Sequence, residues 1–388
     1  MSRALLADRY QGIHAGLFSG YANMASQFDD LINFSIGDPD LACDEGIINA
    51  AFADAKAGYT HYTPASGYPE LRRAIAESYK EDYDLDFTAD EVFICASASH
   101  GLLLVLEAIL NPGEEVLLIA PYFSSYAGQV KLARGVPVEV DTTFEEGFQV
   151  NVERLEAAVT PRTRAIILNT PCNPTGVCLS RENMAALADF AKRHDLIVVA
   201  DDIYTIFSYG EPFLPIVSLP GMRERTVTLN SFSKNYLMTG WRIGSILAPA
   251  PFIDAVREIN EGIIYCAPSI SQRAALYALR HRSEICPPIA AEYKKRLNYC
   301  AERINAIPKM HVLTPPGGTF YLFVDVRETG LSSEEVVMRL LHEAHVLTIP
   351  GSGFGKCGEG FLRLACTIDN EKAGEAFDRI AKMPLFQK

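Results

Sequence analysis

The chain has 388 residues, of which 48% are hydrophobic and 21% are charged, so it can bury a large core and is long enough for two domains. A formal net charge of −13 argues against a nucleic-acid partner and against binding to an anionic membrane. The nine cysteines are scattered, without a CxxC pair and without nearby histidines at metal spacing, which predicts reduced thiols in a cytoplasmic protein and no metal site.

Short apolar runs alternate with helical segments through the first two thirds of the chain. They predict strands over residues 92–95, 115–120, 165–168, 196–200, 226–229 and 243–248. Helices are predicted over residues 102–110 and 181–194. Continuous runs of Val, Ile and Leu separated by helices are typical of a mostly parallel sheet that helices cover on both faces.

The last third of the chain mixes helical and strand patterns. The predicted elements are helices over residues 279–305 and 332–344 and strands over residues 320–324, 346–349 and 361–365. This mixture predicts a smaller α+β domain beside the α/β domain. We expect residues 48–275 in the large domain and residues 1–47 and 276–388 in the small one.

Polar residues follow the predicted strands at their carboxyl ends, where open α/β sheets bind ligands. Lys234 lies in Ser231-Phe232-Ser233-Lys234-Asn235, the lysine segment, and Arg242 lies eight residues further on. A lysine held out of bulk water beside hydroxyl groups and a second cation can form a Schiff base with an aldehyde. Three other strand ends carry polar segments: Ala96-Ser97-Ala98-Ser99-His100, Asn169-Thr170-Pro171-Cys172-Asn173 and Asp201-Asp202-Ile203-Tyr204.

Further motifs join these segments in a fixed order along the chain. They are Ser35-Ile36-Gly37-Asp38-Pro39-Asp40, Tyr62-Thr63-Pro64-Ala65-Ser66-Gly67 with Glu70-Leu71-Arg72, Asn173-Pro174-Thr175-Gly176, and Phe361-Leu362-Arg363-Leu364. From about Asn33 to Asp369 the chain resembles fold-type I, pyridoxal-phosphate-dependent aminotransferases of class I/II, the aspartate-aminotransferase group. The resemblance implies a mostly parallel central sheet sandwiched by helices. It also implies pyridoxal 5′-phosphate bound in the large domain, with an L-amino acid and a 2-oxo acid as substrates.

The resemblance assigns the catalytic roles to Lys234, Asp201 and Tyr204. Lys234 is implied to hold the cofactor aldehyde as a Schiff base and, once released, to move a proton at the substrate Cα. Asp201 is implied to pair with the pyridinium nitrogen, which keeps the ring able to accept electrons. Asn173 and Tyr204 are implied to donate hydrogen bonds to the phenolic oxygen of the ring.

The resemblance also implies how the rest of the cofactor is held. The turn Ser97-Ala98-Ser99 would present backbone N–H groups to the phosphate at a helix N-terminus, although its first two residues stand where glycines are frequent. Arg242 would add a charged contact and Ser231 a hydroxyl, with Ser233 as a further candidate. Phe123 matches the aromatic position that stacks on the pyridine ring, and packing in the core is the alternative interpretation.

Four residues are implied to serve the substrate or a neighbouring subunit. Arg363 would bind the substrate α-carboxylate in a bidentate manner through its planar guanidinium, and Gly37 would approach the same group with its backbone. Asn173 would lie against the substrate as well. Tyr62 would reach the phosphate of the neighbouring subunit, which implies a homodimer with shared active sites.

Two other functions are compatible with the same residues. A carbon–sulfur β-lyase would use all the cofactor contacts equally, and a ligand-sensing module of a transcription regulator would retain the fold. The second is disfavoured by the acidic charge and by the roughly thirty residues that precede the resemblance, too few for a winged helix. The N-terminus lacks the pattern of a signal peptide and no apolar stretch is long enough to span a membrane, so we expect a cytoplasmic enzyme. The residues leave the amino donor and acceptor open.

Overall fold

The structure is a computed structural model that describes residues 28–387 together with residues 20, 21, 24 and 26. The strands are β1 Ile32–Asn33, β2 Val92–Cys95, β3 Glu115–Ala120, β4 Val136–Asp141, β5 Thr163–Leu168, β6 Ile197–Asp201, β7 Thr226–Ser231, β8 Gly244–Leu247, β9 Tyr321–Asp325, β10 Val346–Leu347, β11 Ile349–Pro350 and β12 Phe361–Ala365. The α-helices are α1 Glu45–Lys56, α2 Pro69–Tyr83, α3 Ala98–Ile109, α4 Ser125–Leu132, α5 Val152–Ala158, α6 Arg181–Arg193, α7 Phe232–Asn235, α8 Ala250–Glu261, α9 Ser269–Arg280, α10 Arg282–Asn305, α11 Ser333–Arg339 and α12 Asn370–Ala381.

Seven strands form the main sheet, in the order β2-β8-β7-β6-β5-β3-β4. Strand β8 is antiparallel to both of its neighbours, and every other pair in the sheet is parallel. The mostly parallel sheet predicted from the apolar runs is therefore confirmed. Its parallel strands end together at one edge, so the polar segments after β6 and β7 are brought side by side.

Helices cover both faces of this sheet. In β3, Val116 and Leu118 pack with α3, α4 and α8, while Leu117 faces the other side and packs with α6. The alternation follows from the two-residue period of a strand, and both faces being apolar explains why the strands are continuous hydrophobic runs. Helices α1, α2 and α9 cover the β2–β8 end of the sheet.

The last third of the chain forms a smaller α+β unit, as its pattern predicted. Strands β11, β12 and β9 form an antiparallel sheet in that order, and β1 pairs in parallel with β10. These strands pack with α10, α11 and α12 around one apolar cluster. The domain limits at residues 47/48 and 275/276 stay a prediction.

Beyond shifted ends, three predicted elements are divided or change type in the structure. The helix over residues 279–305 is two helices, because His281 leaves helical geometry with φ −108° and ψ 18°. The strand over residues 346–349 is divided, since β10 pairs with β1 whereas β11 pairs with β12. The helix over residues 332–344 is α-helical only to Arg339 and ends in a π-helical turn, Leu340–Ala344. No helix in the described part of the chain is both long and apolar enough to cross a bilayer.

Candidate active site

A cavity of about 600 Å³ lies at the carboxyl edge of the main sheet, between that sheet and β12. It collects almost every residue that the sequence singled out. Its lining includes Gly37, Ser97, Ala98, Ser99, Phe123, Asn173, Asp201, Tyr204, Ser231, Ser233, Lys234, Arg242 and Arg363. The lining comes from segments that are far apart in the chain, so the shared edge of the sheet is what assembles the site.

Lys234 lies in α7, directly after β7, and Ser231 caps this short helix by accepting a hydrogen bond from Ser233 N at 3.1 Å. The lysine Nζ donates a hydrogen bond to the carbonyl oxygen of Gly37 at 2.5 Å. The pKa of Lys234 is lowered to about 8, chiefly by burial; the Asp38 carboxylate opposes this shift, and the nearby cations Arg363 and Arg242 contribute to it. Lys234 is therefore a far better nucleophile and base at neutral pH than an exposed lysine.

Asp201 is the last residue of β6 and is only 6% exposed. Its Oδ2 accepts a hydrogen bond from Tyr126 Oη at 2.5 Å. Its Oδ1 is buried and has no hydrogen-bond partner among the described residues. Burial raises the pKa of Asp201 to about 6, and the Tyr126 hydrogen bond acts in the opposite direction. One carboxylate oxygen is thus held in place while the other is left for a ligand.

Asn173 and Tyr204 lie on the same side of the cavity. Asn169 connects two strand ends: its Oδ1 accepts from Asn173 N at 2.9 Å, and its Nδ2 donates to the carbonyl oxygen of Asp201 at 2.8 Å. Tyr204, 2% exposed, donates to Tyr321 Oη at 3.3 Å. Asn173 and Tyr204 are each held by a hydrogen bond to a neighbouring side chain, so their positions are set by the protein itself.

Arg363 projects from the middle of β12 and is only 1% exposed. Its guanidinium donates to Asn173 Oδ1 at 3.3 Å and to the carbonyl oxygen of Ser35, and it lies 4.8 Å from the centre of the Tyr321 ring. Burial lowers the pKa of Arg363 from its ordinary value. A Cβ atom at Gly37 would lie 1.8 Å from Tyr321 Oη, so only glycine allows that backbone to approach the arginine side of the cavity.

The serine turn begins helix α3. Ser97 is its N-cap and accepts a hydrogen bond from His100 N at 3.1 Å, and Ser97, Ala98 and Ser99 all line the cavity. Gly244 lets this turn approach β8, since a Cβ there would lie 3.0 Å from Ala98 N. Arg242 is near the same end, with its Nη1 bonded to the Thr239 carbonyl at 2.8 Å. Helix N–H groups and a guanidinium together make an anion site.

Tyr62 is the one predicted cofactor residue that does not line the cavity of its own chain. Its side chain is 85% exposed, and its ring packs edge-on against Tyr265 at 5.5 Å. Tyr59, Ile263 and Ile264 are also exposed, at 36%, 50% and 41%. Tyr62 therefore lies on an exposed surface beside Tyr265, away from the cavity of its own chain.

Tyr126, Asn169 and Tyr321 also line the cavity, although the sequence analysis gave none of them a role. Asn169 lies directly after β5, in the polar segment that ends at Asn173, so its position at a strand end already indicated a site residue. Tyr126 follows Phe123 at helical spacing, which places both rings on one side of the chain. Tyr321 lies in a continuous apolar strand and carries no pattern that separates it from core residues.

Comparisons with known proteins agree over nearly the whole chain. A family model described as Aminotransferase class I and II matches residues 29–380. An aspartate aminotransferase from Pyrococcus abyssi is 39% identical over 97% of this chain and 98% of its own, and aromatic-amino-acid aminotransferase 2 from Thermococcus litoralis is 38% identical over the same shares. Among solved structures, the aspartate aminotransferase from Thermus thermophilus with maleate is 32% identical, covers 98% of this chain and 100% of its own, and superposes with a TM-score of 0.92.

Proposed function

The chain belongs to the class I and II aminotransferase family, as its motifs predicted, and we propose that its cavity binds pyridoxal 5′-phosphate and uses Lys234 to transfer an amino group between an L-amino acid and a 2-oxo acid. The family depends on this cofactor. The observation that carries the proposal is the pairing, in one cavity, of a lysine whose pKa is lowered to about 8 with the buried, unpartnered Oδ1 of Asp201.

The residues present fit the cofactor. A buried carboxylate oxygen without a partner is costly unless a ligand supplies one, and a protonated ring nitrogen would do so at Asp201. The N-terminus of α3 and Arg242 would hold the phosphate, with the hydroxyl groups of Ser231 and Ser233 nearby. Phe123 would lie against the ring face. Asn173 and Tyr204 would hydrogen-bond the phenolic oxygen.

The bound cofactor supplies an aldehyde that reacts with amines and a ring that accepts electron density from the substrate Cα. The protein supplies the remaining chemistry. Arg363 binds the substrate α-carboxylate, because its planar fork can donate two parallel hydrogen bonds in a pocket that excludes water. Asn173 keeps the guanidinium in place, and the Gly37 backbone leaves room for the carboxylate.

Proton transfer is the task of Lys234. Neutral Lys234 Nζ removes the proton from the substrate Cα and delivers a proton in the reverse half-reaction. Its hydrogen bond to the Gly37 carbonyl, on the segment beside the carboxylate site, keeps the amine on the substrate side of the cavity. The lowered pKa keeps a large share of this amine neutral near pH 8. The amino group that the donor gives up would stay on the bound cofactor until a 2-oxo acid accepts it.

We further propose that the enzyme is a cytoplasmic homodimer whose subunits share active sites. The exposed aromatic and aliphatic surface around Tyr62 and Tyr265 supports this, because water-exposed apolar side chains of that size are typical of subunit interfaces. Subunit complementation tests it. A chain with Tyr62→Ala and a chain with Lys234→Ala should each be inactive, whereas their heterodimer should contain one site with both residues intact and recover activity.

The test of function combines cofactor attachment with a donor screen. Borohydride treatment of the cofactor-loaded enzyme, followed by peptide mass spectrometry, should find the cofactor on Lys234. Single amino acids without an acceptor should convert the bound cofactor to its aminated form, followed by absorbance. Lys234→Ala should abolish both signals, whereas Lys295→Ala, at an exposed position on α10, should change neither. Attachment elsewhere, or pyruvate and ammonia released from cystathionine without an oxo acid, would contradict the proposal.

A further inference from the structure

Tyr126 is a buried tyrosine whose hydroxyl donates a hydrogen bond to the Asp201 carboxylate. It lies on α4, is 3% exposed, and its Oη donates to Asp201 Oδ2 at 2.5 Å. Its ring is fixed by an edge-on contact with Phe123 at 5.7 Å and by a stacked contact with Tyr122 at 6.4 Å. None of the roles assigned so far uses this hydroxyl, although it lines the same cavity as Lys234.

We propose that Tyr126 is a positioning residue: its hydroxyl holds one oxygen of the Asp201 carboxylate, keeps that carboxylate ionised and aims the other oxygen at the nitrogen of the cofactor ring. This inference rests on the proposed function, since it assigns Asp201 to the ring nitrogen. Tyr126 itself does not touch the reacting atoms. It acts only through Asp201.

The direction of the hydrogen bond follows from the acid strengths of the two groups. Burial and the neighbouring carboxylate raise the pKa of Tyr126 well above its ordinary value, so the phenol keeps its proton and donates it. The same hydrogen bond lowers the pKa of Asp201, against the burial that raises it. Without the hydroxyl, neither side-chain oxygen of Asp201 would have a partner within the described part of the chain. The carboxyl would then be free to rotate and to take up a proton.

The consequence is measurable on cofactor binding, apart from turnover. Tyr126→Phe removes one hydrogen bond to a charged group and no carbon atom. The Kd of the cofactor-free protein for pyridoxal 5′-phosphate should rise about ten- to hundredfold. In the parent protein, the affinity for the cofactor should fall below a pH near the Asp201 pKa of about 6. In Tyr126→Phe this pH should be higher, because the hydrogen bond that lowers the Asp201 pKa is lost. In the loaded enzyme, kcat should fall while the KM of the amino donor stays nearly constant.

Tyr122→Phe is the matched control. Tyr122 lies four residues earlier, is 7% exposed, and donates its hydroxyl to Glu139 Oε1 at 2.8 Å, away from Asp201. Removing this hydroxyl also costs the protein a hydrogen bond from a buried tyrosine to a carboxylate, here the exposed Glu139. The cofactor Kd and its pH dependence should nevertheless remain within about twofold of the parent values. Equal losses of affinity in both tyrosine variants would overturn the proposal.

A double variant separates positioning from packing. In an Asp201→Asn background there is no carboxylate to hold, so adding Tyr126→Phe should change the cofactor Kd by less than about twofold. Comparing Asp201→Asn with the double variant also tests the role of Tyr126 if Tyr126→Phe alone does not fold. Neither of these two proteins contains the Asp201 carboxylate, so neither leaves it buried without a hydrogen-bond partner. A tenfold loss caused by Tyr126→Phe in both backgrounds would refute the role. If the parent protein bound no cofactor at all, the proposed function would fail instead.

Discussion

Replacing Asp201 with asparagine should stabilise the cofactor-free protein. Burial raises the pKa of this carboxyl from 3.8 to about 6, so above pH 6 the folded protein holds an ionised group that the unfolded chain solvates more favourably. A shift of about two pKa units corresponds to about 3 kcal/mol at about 1.4 kcal/mol per unit. Asp201→Asn removes that cost. It also relieves Asp202, whose pKa is raised by its own burial and by the Asp201 charge.

The pH dependence gives the prediction its sign. The folded state binds the Asp201 proton more tightly than the unfolded state, so the carboxyl costs nothing below about pH 4 and its full amount above about pH 6. Urea unfolding of the cofactor-free proteins should therefore show Asp201→Asn more stable by about 3 kcal/mol at pH 8, with the difference shrinking between pH 6 and pH 4. Asp254→Asn, at a surface position that is 63% exposed, should change the free energy of unfolding by less than about 0.5 kcal/mol.

The same substitution should act in the opposite direction on the loaded enzyme. A neutral amide cannot hold the ring nitrogen protonated, so the cofactor Kd should rise about ten- to hundredfold and turnover should fall. A residue that costs stability and is needed for binding is typical of a functional site. Destabilisation of the cofactor-free variant at pH 8, or a stability gain that does not vary with pH, would refute the reasoning.

Three other substitutions or conditions test the remaining parts of the site. The rate at which the cofactor-free protein forms its covalent bond to pyridoxal 5′-phosphate, followed by absorbance, should rise about tenfold per pH unit until about pH 8 and then level off. The reason is that only the neutral amine of Lys234 attacks an aldehyde. A rate that does not change with pH across this range would contradict the lowered pKa of Lys234. Gly37→Ala places a methyl group 1.8 Å from Tyr321 Oη and should lower kcat/KM strongly, whereas Gly210→Ala, which meets nothing within 4 Å, should not. Arg363→Lys should lower kcat/KM for the amino donor about ten- to hundredfold through loss of the two-point carboxylate contact, and unchanged steady-state kinetics would exclude that role.

Much of the main sheet was predictable because its strands are buried on both faces. Strand β3 was predicted with the bounds observed, and β2 likewise, since a run of apolar residues ended by proline or by small polar residues leaves little choice. The predictions were wrong where the partner strand, and not the local sequence, determines how a segment pairs. An apolar run such as residues 346–349 contains no information on which strand it will pair with, and here it is divided between two sheets.

The sequence by itself determined the chemistry of the site: the lysine after β7, the aspartate that ends β6 and the capped helix after β2 are local features at strand ends, and the doubly buried parallel sheet brings such ends together. The arginine comes from the middle of β12 in the smaller sheet. The tertiary structure alone decided how these groups are tuned. Tyr126 meets Asp201 across 75 residues of chain, and Tyr321 fills the space that Gly37 leaves open. Hydrogen bonds and close contacts of this kind depend on the distance between two atoms in the folded chain, and residue spacing along the sequence does not contain that distance.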